Sequence, residues 1–287
     1  MEDREYSIAL NMIEGLGSIR MTKLLSYFNN AENIFKADES KLQSIASIGK
    51  EISRRIKAFN IKDLREELEL CKKENIRVIS IFDRDYPELL KSIPDAPMVL
   101  YIKGKLDCLL GLNIAVIGSR KASSYGLLTA ERISRQLASL GVTIISGMAR
   151  GIDSTAHRGA LDAGGRTVAV LGSGVLNIYP PENASLAKKI SNNGALISEF
   201  PLKRAPLREN FPRRNRIVSG LSKGVVVVEA AKRSGALITA DLALDQGRDV
   251  FAIPGEVDSP TSYGTNYLIK QGAKLVDSAE DILEEYN

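Results

Sequence analysis

Residues 113–126 read NIAVIGSRKASSYG, and they contain the unit from which the fold is predicted. Ile114–Ile117 is a continuous apolar run, which is typical of a strand buried on both faces of a parallel sheet. Gly118 ends the run. Apolar residues then recur at helical spacing from Leu127 to Leu140, which predicts an amphipathic helix. The stretch is therefore a strand, a glycine turn and a helix.

The same unit recurs along the rest of the chain. Each later apolar run is short, and each closes at a glycine, serine, glutamate or proline. The runs are Val142–Ile145, Thr167–Leu171, Ala195–Ile197, Val225–Val228 and Val250–Ile253. Strands that alternate with helices predict a doubly wound, mostly parallel α/β sheet with right-handed crossovers. The pattern leaves the strand order open.

The chain before this region has a different pattern, and it divides into three predicted parts. Residues 1–65 predict a small all-α domain, residues 66–110 a connector whose short strands pack on the core, and residues 111–287 the doubly wound α/β domain. Gly17 and Gly49 each precede a basic helix, which resembles the helix-hairpin-helix or SAM-like domains whose backbone N–H groups can hold a DNA phosphate. An ordinary turn between packed helices explains the two glycines equally well.

Composition excludes several classes of protein. Of 287 residues, 44% are hydrophobic and 26% charged, as in ordinary globular proteins. No run of 18 apolar residues predicts a membrane span, and the acidic start does not resemble a secretory signal. Two cysteines and one histidine are too few for a disulfide framework, a cysteine-rich zinc site or a three-histidine centre. We expect a cytoplasmic protein without metal or cofactor.

The net charge of +4 hides an uneven distribution of charge. Residues 111–220 carry fifteen Lys and Arg against six Asp and Glu, a net charge of +9. Residues 221–287 carry six against eleven, a net charge of −5. Such an asymmetry indicates a polyanionic partner for the middle of the chain.

Three glycine-rich loops follow predicted strands, at the edge where ligands bind in such sheets. They contain Gly118-Ser119-Arg120, Ser146-Gly147 with Arg150-Gly151, and Gly172-Ser173-Gly174. Glycine lets the backbone approach an anion closely, and hydroxyl and N–H groups then donate to phosphate oxygens. A tight turn is a sufficient explanation for any single loop. Three loops at one edge, two of them with arginine, favour a phosphate-binding surface.

The segment from Phe200 to Gly220 is the most basic in the chain. The segment contains one acidic residue, Glu209. Its cations are Lys203, Arg204, Arg208, Arg213, Arg214 and Arg216. Pro212 predicts the start of a helix over Arg213–Leu221. Arginines near that start oppose the helix dipole, so a bound anion would relieve the cost. Phe211 supplies a ring among the cations, and this combination suits single-stranded nucleic acid.

Enzyme motifs are absent from the sequence. The Gly118 loop departs from G-x-G-x-x-G, and no P-loop Gly-Lys-Ser/Thr occurs. His157 lies beside Asp153 and Ser154 on one predicted helix start, which is the wrong geometry for a proton relay. Glu199 and Glu229 end strands, where we expect them to hold backbone N–H groups or arginines. We predict no catalytic residue.

A succession of motifs resembles the DprA (Smf) family of DNA-processing proteins over about residues 114–276. The motifs are GSRKASSYG, SGMARGIDSTAH, GSGVLNIYPPEN, ISEFP, FPRRNRIVSGLS, VVVVEAAKRSGALITADLALDQGRDVFAIPG and GTNYLIKQGA. The resemblance implies an extended Rossmann fold and a homodimer built through that domain. It also implies a non-catalytic protein that binds single-stranded DNA, protects incoming strands in natural transformation and loads the RecA recombinase. Many members add a C-terminal winged helix, which we do not expect here.

The resemblance also implies which residues contact DNA. From the three family motifs it selects Gly118, Ser119, Arg120, Ser146, Gly147, Arg150, Gly151, Phe211, Arg214, Asn215 and Arg216. Gly172 and Ser173 follow from their loop, and Lys203 and Arg213 from charge alone. Two alternatives stay open. One is a Rossmann enzyme that cleaves nucleoside monophosphates, whose Pro-Gly-Gly-x-Gly-Thr-x-x-Glu signature is not found. The other is an interaction protein that docks through acidic residues 277–285.

Overall fold

The computed structural model describes residues 3–286, which form a mixed α/β protein. Its helices are α1 Asp3–Met12, α2 Ser18–Phe28, α3 Ala31–Lys36, α4 Glu39–Gln43, α5 Lys50–Lys57, α6 Ile61–Lys73, α7 Glu88–Lys91, α8 Ser124–Ser139, α9 Ile152–Asp162, α10 Ala184–Asn193, α11 Asn210–Gly220, α12 Gly235–Asp245, α13 Tyr263–Lys270 and α14 Ala279–Leu283. Its strands are β1 Arg77–Ser80, β2 Val99–Gly104, β3 Asn113–Ile117, β4 Thr143–Ser146, β5 Thr167–Val170, β6 Ala195–Ser198, β7 Gly224–Val227, β8 Asp249–Ala252 and β9 Lys274–Leu275.

All the strands of the described region form one sheet, in the order β1-β2-β6-β5-β4-β3-β7-β8-β9. The strands from β6 to β9 pair in parallel, whereas β1 and β2 pair antiparallel at one edge. The predicted doubly wound, mostly parallel sheet is therefore confirmed. Each of its six predicted strands lies within one or two residues of its predicted position. The chain builds outward from β3 to β6 and then returns to the other side of β3, so the direction of winding changes between β3 and β7.

Alternate residues of β3 show why its apolar run is continuous. Ile114 and Val116 pack on one face of the sheet with α8, α9 and α14. Ala115 and Ile117 pack on the other face with α11, α12 and α13. Because helices cover both faces, every residue of the strand is buried and no polar alternation survives.

The N-terminal helices share a continuous core with the sheet. Ile8 and Leu24 belong to the same buried cluster as Tyr101 of β2 and Leu171 after β5. The boundary that we predicted at residue 65 falls inside α6, because the charged helix runs on without interruption to Lys73. Residues 66–110 then supply β1 and β2 to the main sheet.

Two negative findings apply to residues 3–286. No helix there is long and apolar enough to cross a membrane. Within the same range, no three His, Cys, Asp or Glu side chains cluster as metal ligands would.

Candidate nucleic-acid interface

An open groove of about 860 Å³ lies at the carboxyl ends of β3 and β7, where the winding of the sheet changes direction. We call it the switch-point groove, because ligands of doubly wound sheets bind at this position. Its walls come from the loops after β3, β4 and β7 and from the first turns of α11 and α12. The residues that line it include Gly118, Ser119, Arg120, Lys121, Gly147, Asp153, Tyr179, Arg208, Phe211, Arg214, Asn215, Arg233, Ile238 and Thr239.

The charges along this groove are predominantly positive. Arg120, Lys121, Arg208 and Arg233 are exposed, and within residues 3–286 none of these four forms an ion pair. The acid that lines the groove in the described chain is Asp153, which is buried, and burial raises the pKa of its carboxyl group. A concave surface with this excess of cations concentrates polyanions near it.

An aromatic pair lies among these cations. The guanidinium group of Arg120 lies over the Phe211 ring, 5.3 Å from its centroid. The Tyr179 ring lies 5.7 Å from Phe211, centroid to centroid. Gly172 packs behind Phe211, and a Cβ atom at that glycine would lie only 2.8 Å from the ring. Glycine at position 172 therefore makes room for the ring, which remains half-buried and open to the groove.

Arg214 forms the floor of the groove. Its Nη1 donates to the carbonyl oxygen of Val170 at 2.5 Å, and only 3% of its surface is exposed. Burial lowers its pKa to about 10, which Asp153 partly offsets. The guanidinium therefore keeps its charge at neutral pH. A Cβ at Gly147 would occupy the position of that guanidinium, so glycine is needed there.

The loop after β3 is held in place from two sides. Gly151, at φ +73°, packs against the backbone of Ser119, and the N–H of Ile152 donates to the Ser119 carbonyl at 3.2 Å. The Glu229 carboxylate accepts hydrogen bonds from the N–H of Ser123 at 2.9 Å and from its hydroxyl at 2.5 Å. This wall of the groove is thus preorganised, and Glu229 holds backbone as predicted.

The structure corrects the predicted direction of several side chains. The helix α11 begins at Asn210 rather than Arg213, so the three arginines are its fourth, fifth and seventh residues and do not lie at its N-terminal end. Phe211, Arg214 and Asn215 face the switch-point groove, whereas Arg213 and Arg216 line a separate cavity. Arg216 is buried, with 5% of its surface exposed, and its Nη2 forms an ion pair with Glu199 Oε2 at 2.7 Å.

Two predicted hydroxyl ligands are also used internally. Ser146 Oγ donates to the Val116 carbonyl at 2.7 Å, which ties β4 to β3. Ser173 Oγ donates to the Asn177 carbonyl at 2.6 Å, and both serines are buried. Their hydroxyl groups satisfy backbone carbonyls and do not face the groove.

The remaining predicted residues lie near the groove without lining it. Arg150 is exposed and pairs with Glu182, with 2.5 Å between Nε and Oε1. Lys203 is exposed and lies outside the groove, and Gly151 and Gly172 pack behind its walls.

Four of the cationic and aromatic residues that line the groove are not among the predicted site residues. Lys121 follows the predicted Arg120, Arg208 was named only as a cation of the basic segment, and the cations after β7 were a signal for Arg233. Tyr179 carried no signal, because it reaches Phe211 only through the path of the loop after β5.

A doubly wound sheet with a basic, aromatic groove at its switch point defines a protein of the Rossmann-like class. Residues 77–287 match the model of the family described as DNA recombination-mediator protein A. The chain belongs to this family, which confirms the resemblance found in the sequence.

Relatives of the chain agree with this assignment. Smf of Escherichia coli is 48% identical over 233 residues, which are 81% of this chain and 62% of that protein. DprA of Streptococcus pneumoniae is 39% identical over 289 residues, which cover 100% and 99% of the two chains. Its crystal structure superposes with a TM-score of 0.87 at 38% identity, over 99% of each chain.

A second solved relative is DprA of Helicobacter pylori, whose structure is described for its single-stranded DNA binding mode. It matches with a TM-score of 0.67 at 28% identity, over 74% of this chain and 95% of that one.

Proposed function

We propose that this protein binds single-stranded DNA in the switch-point groove, without reading its sequence. The observation that carries the proposal is the set of four exposed cations without ion-pair partners in residues 3–286, around the half-buried Phe211 ring. Cations neutralise the phosphates, and every base has a face that can stack on the ring. The single-stranded DNA binding reported for the relative from Helicobacter pylori supports the same partner.

The cellular role that we propose follows from the family. The bound strand is incoming DNA in natural transformation, and the protein shields it and loads RecA onto it. We propose that the protein acts in the cytoplasm as a homodimer and without catalysis. In line with that, the lone histidine is fully buried, and Asp153 accepts a backbone hydrogen bond beside Arg214.

Binding of a labelled oligonucleotide to a charge-reversed variant tests the proposal. Arg120→Glu with Arg233→Glu should weaken binding of single-stranded DNA at least tenfold. The matched control is Lys188→Glu with Lys189→Glu, two exposed lysines of α10 that line neither groove. The control should bind normally, and equal losses in both variants would contradict the proposal. Co-sedimentation with RecA, with and without DNA, tests the loading role separately.

A further inference from the structure

A second cavity of about 790 Å³ lies on the opposite side of the first turns of α11, between the N-terminal helices and the sheet. We call it the inter-unit groove, where the two units are the N-terminal helices α1–α6 and the sheet with its covering helices. Pro212 lines both grooves, so the start of α11 is the ridge between them. A chain that crosses this ridge passes from one groove into the other.

Four guanidinium groups, from three parts of the chain, converge on the turn around Gly15–Gly17 of this groove. Two of them act on its start. Arg20 of α2 donates to the Gly15 carbonyl at 2.6 Å, and Arg55 of α5 donates to the Glu14 carbonyl at 2.8 Å.

Two more come from the segment that precedes and begins α11. Arg204 donates to the Glu14 carboxylate at 2.9 Å, and Arg213 Nη2 would lie 3.6 Å from a Cβ at Gly17. Like charges repel, so such a convergence is costly unless anions compensate it.

The carboxylates of the groove do not balance these cations. Arg20, Lys23, Arg204, Arg213 and Arg216 line it against Glu14, Asp95 and Glu199.

Each of these three carboxylates already has an arginine partner, and two of them have two; Asp95 pairs with Arg216 at 3.0 Å. Glu14 serves both Arg204 and Arg55, and Glu199 serves both Arg213 and Arg216. Lys23 is exposed and has no ion-pair partner within the described residues, and Arg20 donates only to backbone carbonyls. Positive charge therefore remains available along this wall.

Two further features of the groove indicate an anionic ligand. The helix α2 starts here at Gly17 with no side-chain cap and no acid in its first turn, so its free N–H groups stay uncompensated. Arg216 is 95% buried in the wall of the groove, and its Nη1 has no hydrogen-bond partner among the described residues.

We propose that the inter-unit groove binds the phosphate backbone of the same single strand, which passes over α11 at Pro212 from the switch-point groove. This inference rests on the proposed function and extends it. The N-terminal helices then contribute to the length of the binding site, and the strand contacts both units of the chain. A short oligonucleotide fills the switch-point groove alone, whereas a longer one occupies both.

The test compares oligonucleotides of about 6 and about 20 nucleotides, within and beyond the range of single-groove site sizes. Lys23→Glu should weaken binding of the 20-mer about tenfold and leave the 6-mer unchanged. The slope of log K against log salt for the 20-mer should become shallower by about 0.7 for each phosphate that the variant no longer neutralises. The matched control is Lys41→Glu, an exposed lysine of α4 that lies outside both grooves and has no ion-pair partner in the described chain. Arg20→Gln serves as a second variant, with its melting temperature measured.

The outcomes separate the two proposals. If Lys23→Glu and Arg20→Gln bind both lengths as the unmodified protein does, the inter-unit groove takes no part and the inference is wrong. It is equally wrong if Lys41→Glu weakens the 20-mer as much as Lys23→Glu, because the effect is then one of net charge. If the unmodified protein binds neither length, the proposed function itself fails.

Discussion

Arg120 and Phe211 lie in contact, with the guanidinium carbon 5.3 Å from the centroid of the ring. The arginine follows β3 and the phenylalanine opens α11, so the fold joins two segments that are distant in sequence. The contact presents a cation and an aromatic face together at the switch point of the sheet. Such a pair suits a nucleotide, because a cation can neutralise the phosphate while an aromatic ring stacks on the base.

Phe211→Leu tests the role of the ring. Leucine keeps an apolar contact with Gly172 but offers no face for stacking. We expect affinity for single-stranded DNA to fall by about 1–3 kcal/mol, with the salt dependence unchanged because the cations still neutralise the same phosphates. Anisotropy titrations at several salt concentrations measure both quantities. Phe82→Leu, at an exposed ring outside both grooves, is the control. Normal affinity in the Phe211 variant would rule out stacking.

Gly147→Ala tests the floor of the groove. The added methyl group needs the position of the Arg214 guanidinium, which must then give up its hydrogen bond to Val170. We expect the free energy of unfolding to fall by about 1–3 kcal/mol, together with weaker DNA binding. Gly111→Ala, with open space around the new Cβ, should change stability by less than about 0.5 kcal/mol. Urea denaturation measures the free energy of unfolding of both variants. Equal stability of the two would show that a methyl group at position 147 does not displace the Arg214 guanidinium.

Glu182→Gln tests whether the ion pair with Glu182 keeps Arg150 from binding DNA. The hydrogen bond to Glu182 raises the pKa of Arg150 and occupies its guanidinium. Both side chains are exposed, and the release of Arg150 should strengthen binding of single-stranded DNA by a few-fold at most, because exposed ion pairs are weak. The double variant Arg150→Gln with Glu182→Gln should bind no more tightly than the unmodified protein. Tighter binding that persists in the double variant would show that Arg150 is not its source.

The single histidine predicts a pH dependence of stability. Thr167 Oγ1 donates to the Ile144 carbonyl and so accepts from His157 Nδ1, at 2.7 Å, which leaves a buried Nε2 without a partner in the described chain. Burial, with the nearby positive charge of Arg214, lowers the pKa of His157 to about 3. The unfolded chain binds this proton near pH 6.5. The free energy of unfolding should therefore decrease as pH falls from 6.5 towards 3.

The size of this dependence is measurable by comparison with His157→Gln. The histidine contributes a slope of up to about 1.4 kcal/mol per pH unit, which the variant lacks. Urea denaturation from pH 6.5 to 4.5 should give a shallower decrease for the variant. The raised pKa of Asp153 acts in the opposite direction, but it acts in both proteins. Parallel curves would mean that His157 binds its proton as readily in the folded state as in the unfolded chain, which contradicts the lowered pKa.

The strands of the sheet could be predicted from the sequence, but the directions in which the site's side chains point could not. Runs such as Ile114–Ile117 report burial on both faces directly, so each strand was located to within a residue or two. The helix at Phe211–Arg216 was predicted to start at Pro212. In the structure Arg213 and Arg216, three residues apart, share the helix face that lines the other cavity, whereas Arg214 lies about 100° away, on the face of the switch-point groove. The helical period separates the arginines in this way, but only the tertiary structure shows which face borders which cavity.

Hydroxyl groups near strand ends were the other source of error. The sequence places Ser146 beside glycine after a strand, as in a phosphate loop, but its hydroxyl ties β4 to the Val116 carbonyl. Only tertiary pairing determines which carbonyls lack partners, so spacing alone cannot distinguish the two uses. The charge excess of residues 111–220 was informative, since most of the exposed cations of the switch-point groove come from this segment.

The salt dependence of single-stranded DNA binding shows whether the cations of the switch-point groove neutralise phosphates. With about four phosphates neutralised in the switch-point groove, log K for a short oligonucleotide should fall against log salt with a slope near −3. In the triple variant Arg120→Ala, Arg208→Ala and Arg233→Ala the slope should approach −1, because about three of those phosphates are then no longer neutralised. Binding that is indifferent to salt, or a triple variant with the slope of the unmodified protein, would contradict the account.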